Sequence, residues 1–261
     1  MTSPPKAVIH INFMPEVLLF EPRRIWTALS RAEKSGKIGP LIRKNLQQEL
    51  GPTAIHLATR NYIIRAALNQ LKQRFAKLGN LIPDRWIKKD ELRVIGNKHI
   101  FEERDYLLLA IDSFLFEIRA YLELLAKFTN AMYCNIGQKP PAIAVLSDKR
   151  KVVIRTRTGK FNSHAFLLFL NDRFSLPANW YDFLTLHRNF FTHEAAPYIA
   201  IEDRLLMPPE YDLIIMRANI HEFAKANPKD YFRLSECQKV VQGLKKLASR
   251  AQEDLVARLE T

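Results

Sequence analysis

Cysteine is nearly missing from this chain: of 261 residues only Cys134 and Cys237 carry a thiol. Far apart and in no C-x-x-C pair, they exclude a disulfide framework and a cysteine zinc site. They read as thiols of a reducing compartment, for which the cytoplasm is the default. Glycine is scarce as well, with 8 residues, and none belongs to a Gly-rich phosphate loop or a G-x-S-x-G elbow. That removes the usual signatures of P-loop nucleotide binding and of α/β-hydrolase chemistry. No apolar run reaches the roughly eighteen residues of a membrane helix. The opening "MTSPPKAVIHINF" also lacks the charged-then-apolar layout of a signal peptide. The expectation is a soluble, cytoplasmic protein with no membrane partner. His187 and His193 are six positions apart with no third ligand nearby, so no metal site is expected, and no cofactor is implied.

Acid is missing from one stretch altogether. Between Glu49 and Asp84 there is no Asp or Glu, while Arg60, Arg65, Lys72, Arg74 and Lys77 ride on helically spaced sequence with Tyr62 and Phe75. The whole chain has 40 Lys plus Arg against 27 Asp plus Glu, a formal charge of +13. The excess sits in front: residues 1–100 hold 18 basic and 7 acidic side chains, residues 101–261 hold 22 and 20. A field of that sign attracts polyanions, nucleic acid first among them. Arg60, Arg65, Lys72 and Arg74 are therefore candidate phosphate contacts. The competing account is a solvated helix face whose acidic partners lie elsewhere in the fold.

Periodicity sets the expected architecture. "KAVIHINF" alternates as a short strand, and Pro52 to Leu78 repeats as a helix stopped by Gly79-Asn80. These compose a basic α+β region over residues 1–100, with a boundary near residue 100. Residues 101–261 then offer four helices of bundle type with small β-hairpin insertions, so the fold class is mainly α. The first of these helices, Glu103 to Asn135, is apolar around most of its circumference, with one polar line of Asp112, Arg119, Glu123 and Asn130. Arg119 and Glu123 are spaced to pair at i, i+4. Asp112, Arg119 and Glu123 form either an exposed seam or the supporting shell of a site. "AIAVLSDKRKVVIRTRTGK" predicts a basic hairpin with Arg155 and Arg157 on one face, two further RNA-contact candidates. Ser163 caps a helix to Arg173, and another covers Asn179 to Ala195. "PYIAIED" and "YDLIIMRA" suggest a second hairpin. The closing helix, Leu234 to Leu259, has Ser235 as its expected cap and Val240, Leu244, Leu247 and Leu255 on one face.

The segment "HRNFFTHE", residues 187–194, sets Arg188, Asn189 and His193 among aromatic residues just before Pro197. A bare R-x4-H is weak, and the chain holds a decoy in "RVIGNKH", where Gly96 and Asn97 predict a loop between Arg93 and His99. The copy at Arg188 differs: Asn189 follows the arginine, bulky apolar residues embed it, and Pro197 ends its helix. Here the chain resembles the HEPN superfamily, whose signature R-x4-6-H stands as "RNFFTH" and whose members belong to prokaryotic defence and toxin–antitoxin systems and some eukaryotic proteins. The resemblance covers the four-helix part, roughly residues 101–261. It implies a metal-independent ribonuclease whose site forms where two copies of the motif face each other in a homodimer, with an antitoxin protein as a partner. On that basis Arg188 and His193 are the catalytic pair and Asn189 the supporting polar residue. Some relatives carry a tyrosine two positions after the histidine; here that position is Ala195.

The chemistry fits those residue types. Metal-free RNA cleavage needs a group to take the proton of the 2′-hydroxyl, a cation for the pentacoordinate phosphate and a donor for the departing 5′-oxygen. An imidazole gives or takes protons near neutral pH, and a guanidinium grips phosphate through two parallel hydrogen bonds. Spacing i, i+5 places Arg188 and His193 about 140° apart on an ideal helix, so a second subunit or an unwound turn must complete the site. The expected function is endoribonuclease action by 2′-hydroxyl attack. The alternative is a non-catalytic HEPN-like module that binds nucleic acid, a nucleotide or a protein partner. Trp180, Phe183, Phe190 and Phe191 are expected in the core.

Overall fold

A seven-residue apolar period shapes the two longest helices. Leu50, Leu57, Ile64, Leu71 and Leu78 are all buried along one helix, and Ile100, Leu107, Phe114, Tyr121 and Phe128 along the other. A repeat of seven keeps one seam of each helix facing its neighbour. In the computed structural model of the chain, the described residues are 20–81, 98–135, 163–177, 179–193, 198–203, 211–216 and 231–261. They are mainly helical: α1 (Pro22–Lys34), α2 (Pro40–Asn80), α3 (Lys98–Asn135), α4 (Ser163–Arg173), α5 (Asn179–His193) and α6 (Leu234–Glu260). Strands β1 (Tyr198–Asp203), β2 (Tyr211–Met216) and β3 (Tyr231–Phe232) pair antiparallel in the order β1-β2-β3, with Tyr198 opposite Met216 and Ile215 opposite Phe232. The strand expected at "KAVIHINF" and the basic hairpin with Arg155 and Arg157 lie outside the described residues.

Helices α2 and α3 form an antiparallel hairpin, because Arg60 meets Glu117 while Arg74, further along α2, meets Glu103, nearer the start of α3. Ala67 and Ala110, both buried, are the small residues at corresponding levels. Helix α1 runs parallel to α6: the Glu21 amide donates to Gln252 Oε1 at 2.6 Å, and Arg31 lies 3.1 Å from Glu260. Phe20 and Trp26 place their rings edge-on to Phe128 of α3. Helices α4 and α5 pack on α3 and α6, and Ile215 of β2 joins the same apolar cluster. The expected boundary near residue 100 lies in the first described turn of α3, and buried residues of α2 and α3 belong to one apolar cluster.

Two expected helix starts and one expected cap move. Helix α3 already runs at Lys98, ahead of the expected Glu103. Helix α2 starts at Pro40, not Pro52, and carries Pro52 in its interior. A proline there denies the Gln48 carbonyl its donor, which reads as a start in sequence, yet burial of Leu46, Leu50, Ala54 and Leu57 on either side outweighs that loss. Helix α5 is described as far as His193, and its expected end at Ala195 lies outside the described residues. Ser235 does not cap α6: the cap position is Arg233, whose amide donates to Glu236 Oε2 at 2.8 Å. Glu236 is the acid three residues on that a capping box requires, and it satisfies the amide from inside the first turn. The buried face of α6 holds Val240, Leu244, Leu247 and Leu255 as expected, together with the free thiol of Cys237, whose pKa burial pushes up. Where α5 crosses α6, Gly243 lies flat against the Trp180 indole, and a Cβ there would overlap the ring.

Candidate active site

Helix α5 divides along its length into a face turned inward and a face turned outward. Trp180, Tyr181, Leu184 and His187 are buried, whereas Asp182, Leu186 and Asn189 are exposed and Arg188 is half-buried between them. His187 of "HRNFFTHE" is a core residue, fully buried with its ring centroid 4.2 Å from that of Phe183. Arg188 and Asn189 instead reach the surface, where Arg188 Nη1 donates to Asn189 Oδ1 at 3.3 Å. Position 193 is the last described residue of the helix; its side chain lies outside the described residues, as do those of Phe190 and Phe191. The α-helix is unbroken from 179 to 193, so no unwound turn brings positions 188 and 193 to one side, and about 140° of helical rotation separates them.

The inward side of α5 is anchored by a polar chain across three helices. Arg119 of α3 donates from Nε to Glu123 Oε1 at 2.9 Å and from Nη1 to the Tyr181 hydroxyl at 3.3 Å. The same hydroxyl lies 2.9 Å from Nδ1 of His164 on α4, and the two rings stack with centroids 5.6 Å apart. Burial pushes the Tyr181 phenol up, and the charge and hydrogen bond of Arg119 oppose that. At neutral pH the phenol keeps its proton. With Tyr181 accepting from Arg119, its own hydroxyl proton is available to His164 Nδ1. Seven residues on from Tyr181, Arg188 returns to within about 20° of the same line, two turns and roughly 10 Å along the axis.

Of the three supporting-shell residues, Arg119 and Glu123 therefore touch the network that holds the motif helix, and Asp112 is exposed on α3. Sequence reasoning missed His164 and Tyr181. Tyr181 follows Trp180 in a segment that reads as plain core, and nothing local links it to an arginine 62 positions earlier.

Three of the five cations of the basic run on α2 are tied to two carboxylates of α3. Glu117 pairs with Arg60, and the carboxylate of Glu103, buried on α3, accepts from both Arg74 and Lys77. The Lys77 hydrogen bond, opposed by burial and joined by Arg74, holds the Glu103 carboxyl below its ordinary range. Arg74 also lies 4.6 Å above the Tyr106 ring. The acids missing from residues 50–83 are thus supplied by the neighbouring helix. Arg65 and Lys72 remain exposed on α2.

Among the described residues no three His, Cys, Asp or Glu side chains are grouped to hold a metal ion, and no helix is long and apolar enough to cross a membrane. No family model, curated protein or solved structure matches the chain.

Proposed function

We propose that the chain is a metal-independent endoribonuclease of HEPN type, acting as a homodimer on RNA by 2′-hydroxyl attack to leave a 2′,3′-cyclic phosphate and a 5′-hydroxyl. The observation that carries the proposal is that half-buried Arg188 of "RNFFTH" donates to exposed Asn189 at the rim of α5, next to the buried His187. A guanidinium there is placed to grip a phosphate and balance the charge of the pentacoordinate state. His193 would exchange the proton, and Asn189 would orient the arginine. Because α5 is unbroken, the reading requires Arg188 of one copy and His193 of the other to meet across a two-fold axis. A defence or toxin role, with an antitoxin partner, belongs to the same proposal.

Residues further away have roles in this reading. Arg119, Tyr181 and His164 act as positioning residues that fix the pitch of α5. Arg65, Lys72, Arg155 and Arg157 would contact phosphates outside the cut site. Arg60 and Arg74 each keep donors beyond those given to carboxylates, since a guanidinium has five.

The test is cleavage of labelled RNA in EDTA, with end-group analysis. Proton transfer by a positioned side chain contributes roughly 10²–10⁴-fold, so His193→Ala should lose about that much. DNA of the same sequence lacks the 2′-hydroxyl and should resist. A His193→Ala protein that cuts as fast as the parent ends the proposal.

A further inference from the structure

Helix α1 separates its side chains more sharply than any reading of net charge conveys. Taking Arg23 as the origin and about 100° per residue, Lys34 lies near 20°, Thr27 near 40°, Arg31 near 80° and Arg24 near 100°. The buried residues Ala28, Ala32, Ile25 and Leu29 occupy the arc from about 140° to 240°. Four cations thus share the outer arc, and all are exposed. No acid of α1 lies in that arc; Glu33 sits to the side and pairs with Arg43 of α2. Of the four cations only Arg31 meets a carboxylate among the described residues, Glu260 at the end of α6, and its side chain remains 69% exposed. Arg23, Arg24 and Lys34 have none.

The contrast with α2 gives this face its meaning. The acid-free stretch after Glu49 is the obvious place in the sequence to expect an anion, yet Arg60, Arg74 and Lys77 face Glu103 and Glu117. A matched pair has almost no net charge to project, while an unmatched exposed cation projects a charge that salt screens over about 8–10 Å. Among the described residues, Arg23, Arg24 and Lys34 thus stand exposed on one arc of α1 outside any carboxylate pair. Its apolar side is already committed to Phe128 and the core, which leaves no hydrophobic face to insert into a bilayer. What the outer face offers is three guanidinium groups, suited to bidentate phosphate binding, and one ammonium. They are spread over about 16 Å of helix, long enough to span several phosphates of one strand.

We infer that the outer face of α1, through Arg23, Arg24, Arg31 and Lys34, is the principal RNA-backbone docking surface of this protein, separate from the cut site at Arg188 and ahead of the α2 face. The inference rests on the RNA reading above. Contacts of this kind position a polyanion without reading its sequence.

The experiment is the salt dependence of binding of a fluorescent single-stranded RNA to the full chain, measured by anisotropy in EDTA. The RNA carries 2′-O-methyl groups so that no cleavage intrudes. The test variant is Arg23→Gln/Arg24→Gln/Lys34→Gln, three exposed positions in which a good helix former replaces a cation; circular dichroism verifies folding. For single strands each neutralised phosphate contributes about 0.7 to the slope of log K against log salt. Loss of three cations should reduce the magnitude of the slope by about 2 and weaken binding at 100 mM salt by at least tenfold. The comparison variant, Arg65→Gln/Lys72→Gln on α2, should change both by less. If the α2 variant loses the larger share while the α1 variant binds like the parent, the docking inference is overturned and the RNA reading stands. If the parent itself shows no salt-dependent binding to RNA, both fall together. Binding of the parent to phosphatidylserine vesicles but not to RNA would assign the face to an anionic membrane and overturn the inference as well.

Discussion

The hydroxyl of Tyr133 on α3 stands 2.5 Å from Oδ2 of Asp254 on α6. Around that contact Arg173 of α4 donates to Oδ1 at 2.7 Å, and Arg258 donates from Nε to Oδ2 at 2.8 Å. One carboxylate thereby ties three helices at the same end of the core. Burial works against its charge, and the bonds from Tyr133, Arg173 and Arg258 outweigh that and hold its carboxyl below the ordinary range. Asp254→Asn keeps the shape and removes the charge, leaving two arginines and a buried phenol short of an acceptor. The expected loss is roughly 2–3 kcal/mol, read as a lower urea midpoint. An unchanged midpoint would show that the cluster is ornamental to stability.

Acid should weaken the fold through two carboxylates. Glu103 and Asp254 both have lowered folded-state values, so each contributes stability that is fully present above the unfolded carboxyl range, near 4, and is lost as pH falls through the folded value. Unfolding free energy measured from pH 6 to pH 3 should fall steadily in the parent. The double variant Glu103→Gln/Asp254→Asn should start lower and fall less. Parallel curves would place the acid sensitivity elsewhere.

Gly243 is the close-approach point of α5 and α6. Alanine there gains about 1 kcal/mol of helix propensity, but its methyl must displace the Trp180 ring, which is fixed by a 3.2 Å bond from Nε1 to Asn171 Oδ1. Overpacking costs roughly 1–3 kcal/mol. Gly243→Ala should melt earlier and shift tryptophan emission; a more stable variant would contradict the packing described.

Pro52→Ala should act in the opposite direction. The position is exposed inside a 41-residue helix, and replacing proline restores a backbone donor for Gln48. A gain of up to about 3 kcal/mol is expected, with more helical signal. Reduced stability would indicate that the helix depends on the bend a proline imposes.

Tyr181→Phe removes the hydroxyl shared by Arg119 and His164. Stability should drop by about 1 kcal/mol, as for one buried hydrogen bond. If the chain cleaves RNA as proposed, turnover should fall further than KM rises, since a looser α5 misplaces Arg188 without removing a phosphate contact. Full turnover in Tyr181→Phe would reduce the network to a packing feature.

The helices at Ser163, Asn179 and Leu234, the buried faces of α3 and α6 and the Arg119–Glu123 pair were all legible in the sequence, because periodicity and i, i+4 spacing are local properties of a regular helix. Pro52 misled for the same reason: local chemistry marks it as a start, and only burial on both sides carries the helix through. The sequence could count charges, yet which cations stay unmatched depends on Glu103 and Glu117 folding back onto α2 across a long helical hairpin. Likewise, the burial of His187 follows from the side of α5 that packs on the other helices, and the bond from Arg119 to Tyr181 joins residues that no spacing rule relates. Electrostatic matching and burial are set by contacts distant along the chain, so they were decided in three dimensions.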